Sequence, residues 1–210
     1  MEKFEYSFKT AHPHAQALMA ADFYWDPGAE SGPFGNNNGM DAPQAFRQWR
    51  LVNISGNPID FLKDLIIEWQ YPHFDWYEMD TAKIEEYLLL KPDYDEQGMQ
   101  QKIQQFREAL KQLPDFSYGP LTDEQIRQVF ILGARQMGGF YLIRQDNAII
   151  GTAFAQFVLE GKIDHELKEL SITAIKRQLL PVLINSNPEE FIEQRKEALT
   201  KMMTVINMVK

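Results

Sequence analysis

Apolar residues along this chain recur mostly at three- and four-residue intervals, the period of an α-helix that buries one face. Met99, Ile103, Phe106, Leu110 and Leu113 keep that spacing. Ile126, Val129, Phe130, Gly133 and Met137 repeat it. So do Phe191, Leu199, Met202, Met203 and Ile206, with Arg195 contributing its aliphatic stem. The pattern predicts helices near residues 13–22, 42–53, 58–70, 81–90, 95–113, 123–137, 147–160, 165–184 and 188–207.

Helix start signals agree with the periods. Asp41-Ala42-Pro43-Gln44 offers an acidic N-cap, a proline for the first turn and a glutamine at N3. Asn57-Pro58-Ile59-Asp60 and Asn187-Pro188-Glu189-Glu190 follow the same logic, and Thr122 with Gln125 spells a capping box. Pro181 is expected to kink or end the eighth helix. Strand signals are few. Phe4, Tyr6 and Phe8 alternate in "FEYSF", and "GFYLIRQDN" is a short apolar run closing in a turn. They allow one small two-stranded β pairing.

The expected fold class is therefore mainly α, a single globular multi-helix domain over residues 1–210. The best internal boundary is "LPDFSYGPLTDE", residues 113–124, which would divide an acidic, Trp-rich segment (residues 1–116) from a helical C-terminal segment (residues 117–210). One continuous globule is favoured, because Leu113, Phe116, Tyr118 and Leu121 in that stretch want burial. Small residues at Gly133, Ala134, Gly151, Ala153 and Ala155 suggest close approach of two later helices.

Composition narrows the function classes. At 44% hydrophobic and 12% aromatic, 210 residues bury a sizeable core. No cysteine is present, which excludes disulfides, thiolate zinc sites and cysteine nucleophiles. The first ten residues lack an apolar signal region, and no apolar run approaches the ~18 residues of a spanning helix. A cytoplasmic protein without a membrane role is expected. The net charge of −9 is uneven: residues 1–120 hold 19 acidic and 10 basic side chains, residues 121–210 hold 11 of each. Trp25, Trp49, Trp69 and Trp76 all fall in the acidic segment. That field repels a phosphate backbone, so no nucleic acid is expected, and a basic protein partner suits it better.

The densest candidate chemistry lies in "DFYWDPGAESGPFGNNNGMDAPQAFRQW", residues 22–49. It fails the EF-hand pattern: with Gly39 at position six, Phe34 and Ala45 stand where ligands belong. A looser site from Asp22, Asp26, Glu30 and Asn36 competes with the ordinary use of asparagine in turns. No lysine or serine completes a phosphate loop, and Asp41 would repel the anion. His12, His14, His73 and His165 form no metal-ligand spacing, and no nucleophile elbow surrounds Ser171 or Ser186. No catalytic residue, metal or cofactor is assigned.

Two readings of the loop remain. As structure, Gly35 and Gly39 supply positive φ while Asp41 and Gln44 cap the next helix, delivering Phe46 and Trp49. As a surface, Asp22, Tyr24, Trp25, Asp26 and Glu30 present acids and aromatics, with Arg47 and Arg50 at the rim. Trp69, Tyr71, Phe74, Trp76 and Tyr77 form a second aromatic cluster around Pro72.

The stretch "HPHAQALMAADFYWDPGAESGPFGNNNGMDA" resembles the opening of the bacterial YfeS-like family. The matching positions are His12, Pro13, Ala15, Asp22, Phe23, Tyr24, Trp25, Pro33, Phe34, Gly35, Gly39 and Asp41. Asn37-Asn38 stands where that pattern carries an acid. The resemblance is specific over residues 12–46 and vague around "AQFVLEGKIDHELK". It implies a bacterial, cytoplasmic protein and supplies no catalytic residue. Family members are also grouped with regulators of molybdate metabolism, but the WGR motif of some relatives is missing here.

Together these readings favour a non-enzymatic interaction or regulatory protein with an acidic, aromatic-rich surface for a basic partner. The alternative is a small-molecule binder or hydrolase with a carboxylate-lined cleft near Asp22, Asp26 and Asp41.

Overall fold

The structure is a computed structural model that describes residues 5–26, 28–29, 31–35, 37–91, 96–111, 121–133 and 137–209. It is mainly α. Its helices are α1 (Pro13–Leu18), α2 (Asn37–Val52), α3 (Pro58–Glu68), α4 (Thr81–Leu88), α5 (Glu96–Lys111), α6 (Asp123–Gly133), α7 (Met137–Glu160), α8 (His165–Gln178), α9 (Pro181–Ile184) and α10 (Glu189–Met208). No strand forms among the described residues. Phe4 lies outside them, and Phe8 opens a short 3₁₀ turn, Phe8–Thr10.

The second strand expectation is corrected. "GFYLIRQDN" lies inside α7, which runs for 24 residues. From Ala148 to Val158 this helix is buried on every side, so its sequence shows no one-sided period. A short apolar run is ambiguous between strand and buried helix, and here length decides for the helix.

The chain groups into two compact units: Met1–Glu85 with Tyr141–Lys210, and Glu86–Phe140. This differs from a division at residue 116. Both ends of the chain contribute to the first core, where Phe46, Leu62, Phe154, Leu167, Leu199 and Ile206 meet fully buried. In the second unit, Met99, Ile103 and Ile126 are buried with Phe106, Leu121 and Phe130 packed against them. Arg127 there pairs with Glu96, and that hydrogen bond holds the Glu96 carboxyl well below the usual range, at about 2. Of the 113–124 stretch, residues 121–124 are described and belong to this second unit.

The caps show which start signals are used. Asn57 accepts from Ile59 N at 2.9 Å with Pro58 in the first turn. Thr122 and Gln125 bond reciprocally, with Thr122 N to Gln125 Oε1 at 2.8 Å and Gln125 N to Thr122 Oγ1 at 3.2 Å. Pro181 separates α8 from α9 as expected. Two other signals are corrected. α2 begins at Asn37, so Asp41 is an exposed residue inside the helix, Gly39 is helical, and Pro43 lies inside the helix too. Asn187 donates to the Leu183 and Ile184 carbonyls, closing α9 rather than capping α10.

Gly161 is the left-handed glycine of the described residues, at φ +73°. A Cβ there would stand 2.1 Å from His12 Nδ1. His12 N donates to Val158 O at 2.8 Å, and His12 Nδ1 caps α1 by accepting from His14 N at 3.2 Å. The His-Pro opening therefore seats α1 against the end of α7.

Candidate functional site

The expected surface of residues 22–50 is largely built into the fold. Tyr24 is buried and donates to Lys201 O at 3.2 Å; burial raises its phenol pKa. Trp25 is half-buried, donates to Met19 O at 2.7 Å, and packs edge-on to Phe8 at 5.9 Å. Asp26 Oδ1 accepts from Gly28 N at 2.8 Å, a local turn. Asp22 opens the 3₁₀ turn Asp22–Tyr24. Gly35 lines a cleft described below, Gln44 and Arg47 are half-buried, and Glu30 and Asn36 lie outside the described residues.

Arg50 is likewise structural. It donates to Gly56 O at 2.6 Å and Asn53 O at 3.2 Å, lies 5.0 Å from the Phe46 ring centroid and pairs with Glu160 at 2.8 Å. It closes the C-terminal end of α2, while the Trp49 ring covers Gly56. Phe46 and Trp49 stack 5.9 Å apart in a packed corner, but they are carried there within α2 rather than behind a turn capped by Asp41 and Gln44. Among the described residues no cluster of three or more metal-ligating side chains occurs, and Asp22, Asp26 and Asp41 line neither cleft described next.

Tyr71, Phe74, Trp76 and Tyr77 of the second aromatic cluster line an open groove of about 520 Å³ in the first unit; Trp69 does not. α3 ends in a Schellman turn: Tyr71 N reaches Ile66 O, Gln70 N reaches Ile67 O, and Gln70 takes φ 56°. The chain then runs without regular structure from Tyr71, and Phe74, Trp76 and Tyr77 line the groove. Ile66 and Ile67 of α3 form one wall, Leu170 and Glu166 of α8 another. Ile67 is 72% exposed and Tyr77 52% exposed, an apolar surface open to solvent. Asp75 and Glu166 add negative charge. Burial, then the fields of Glu166, Glu169 and Asp75, raise the Tyr77 phenol pKa.

A belt of polar residues crosses the core behind this groove. Gln145, Asp146 and Asn147 are consecutive on α7. Gln145 Oε1 accepts from Trp76 Nε1 at 3.0 Å. Asp146 pairs with Arg177, both fully buried, and Arg177 also donates to Trp76 O at 2.9 Å and Glu78 O at 3.0 Å. Burial pushes the Asp146 carboxyl up, to about 6, against the pull of Arg177 and Arg195. Asn147 Oδ1 accepts from Gln178 Nε2 and from Arg195, each at 3.1 Å.

Arg195 opens onto a second, more polar cleft of about 740 Å³, bordered by Gly28, Ala29, Ser31 and Gly35 and by residues of α7, α8, α9 and α10. It donates to Ser31 O at 3.1 Å and Gln178 Oε1 at 2.5 Å. Some of the side chain is exposed, but the guanidinium sits deep enough that burial lowers its pKa to about 10.

In the sequence Arg195 stands out only as an aliphatic stem in the period of the last helix. The available signal was the polar triplet Gln145-Asp146-Asn147 inside a long apolar stretch. Buried charge needs a partner, so such a triplet demands cations from elsewhere in the fold. Comparison with known proteins gives no matching family model, no matching curated relative and no matching solved structure.

Proposed function

We propose that this chain is a non-enzymatic, cytoplasmic interaction protein that docks a basic segment of a partner protein in the aromatic groove between α3, residues 71–77 and α8. The observation that carries the reading is the combination at Tyr77: a half-exposed aromatic ring, beside exposed Ile67, within the field of Asp75, Glu166 and Glu169. A Lys or Arg side chain placed there gains the aromatic face and the carboxylates together, while apolar neighbours cover Ile67. Trp and Tyr are the side chains that most often dominate such interfaces. The acidic excess of residues 1–120 would steer a basic partner toward this half of the chain.

The reading moves the expected surface from residues 22–50 to residues 59–77 and 166–170. A bacterial, YfeS-like origin remains within the proposal and adds no residue to the groove.

Selection from a random peptide display library at low ionic strength tests it. Enriched peptides are expected to carry Lys or Arg beside apolar residues, and to bind more weakly as salt rises. Tyr77→Ala and Glu166→Lys are expected to abolish that binding, while Asp41→Asn leaves it intact. Enrichment of neutral or acidic peptides, or equal binding by Tyr77→Ala, would overturn the reading.

A further inference from the structure

The polar cleft has a surplus of hydrogen-bond donors and of positive charge. Arg195 donates to Ser31 O, Asn147 Oδ1 and Gln178 Oε1, so its Nε–H has no partner among the described residues. Gln178 Nε2 is turned to Asn147 Oδ1, which leaves Asn147 Nδ2 without a partner among the described residues as well. The amide oxygens at the cleft floor are therefore occupied, and donors remain. Gln194 adds a further amide to the lining.

Charge points the same way. Among the described residues the carboxylate bearing on Arg195 is Asp146, and Asp146 is already closed on Arg177. Two guanidiniums share one carboxylate, so among the described residues one positive charge is uncompensated. A partly buried guanidinium with a free Nε–H, beside the free Asn147 Nδ2, favours a planar anion whose two oxygens accept one bond from each residue. A single charge matches a carboxylate better than a phosphate dianion. The cleft is large enough for a small organic molecule.

We infer that this cleft binds a small monocarboxylate, its carboxylate oxygens accepting from Arg195 and the Asn147 amide, with the remaining polar groups of the ligand facing Gln194. The inference is independent of the groove reading: it uses a different cavity and different residues.

The test titrates isotope-labelled full-length protein with sodium glycolate, with sodium phosphate and sodium chloride as comparisons. Saturable shifts of the Asn147 side-chain amide and the Arg195 Nε resonance are expected with glycolate. Arg195→Gln is expected to remove the Asn147 response, and Arg195→Lys, which keeps charge without the Nε–H, to weaken it several-fold. If Arg195→Gln does not fold, the wild-type shifts decide. No response, the same response to chloride, or a response to phosphate alone would overturn the assignment.

Discussion

The Arg177 guanidinium closes on the Asp146 carboxylate with both side chains fully shielded from solvent. The same guanidinium holds the Trp76 and Glu78 carbonyls, so one residue of α8 fixes α7 and the aromatic segment together. Removing one partner of such a pair leaves a buried charge alone. Arg177→Met is therefore expected to cost about 3–5 kcal/mol, read from urea denaturation. Replacing both, as Arg177→Met with Asp146→Leu, is expected to recover much of that loss, because two apolar side chains need no compensation. A double variant as unstable as the single one would mean that the backbone carbonyls, not the ion pair, set the cost.

Gly161→Ala carries two separable penalties. The backbone is left-handed, and the new methyl meets the His12 ring. The strain alone is worth about 1–2 kcal/mol, and the clash adds to it. His12→Ala in the same chain removes the clash but also the bond to His14 N, so it is expected to restore only some of the melting temperature. Unchanged melting of Gly161→Ala would show that the ring moves freely and that α1 is not seated by it.

Local signals were legible where one residue answers to its own neighbours. Asn57 and Thr122 cap the helices that follow them, and Pro181 divides α8 from α9. Signals failed where a second claimant existed. Asn187 faces both the end of α9 and the start of α10, and serves α9. Asp41 stands two residues before Pro43, yet α2 already starts at Asn37. The clefts were harder to read, because Arg195, Asn147 and Gln178 come from three helices and meet only through packing. The aromatic cluster around Pro72 was visible, but its opening to solvent depends on α3 and α8 as walls.

The caps offer a paired comparison. Asn57→Ala removes a used cap and is expected to cost about 0.5–2 kcal/mol. Asp41→Ala changes an exposed helical position and is expected to stay within about 0.5 kcal/mol of wild type. Thermal unfolding of the two variants under one set of conditions checks both. A larger loss for Asp41→Ala would place the true start of α2 near that residue.

Gln70 gives the most direct handle on the groove. It holds φ 56°, a region in which a side chain costs energy and glycine does not. The Schellman bonds from Gln70 N and Tyr71 N use only the backbone, so a glycine keeps them. Gln70→Gly is therefore expected to stabilise the protein by about 1 kcal/mol, although glycine usually destabilises through the unfolded chain. The turn aims Tyr71 and the residues after it into the groove, so peptide binding should survive the change. Stability that rises while binding disappears would show that the Gln70 side chain itself, not the turn, shapes the site. Stability that falls would show that unfolded-state entropy outweighs the strain relieved.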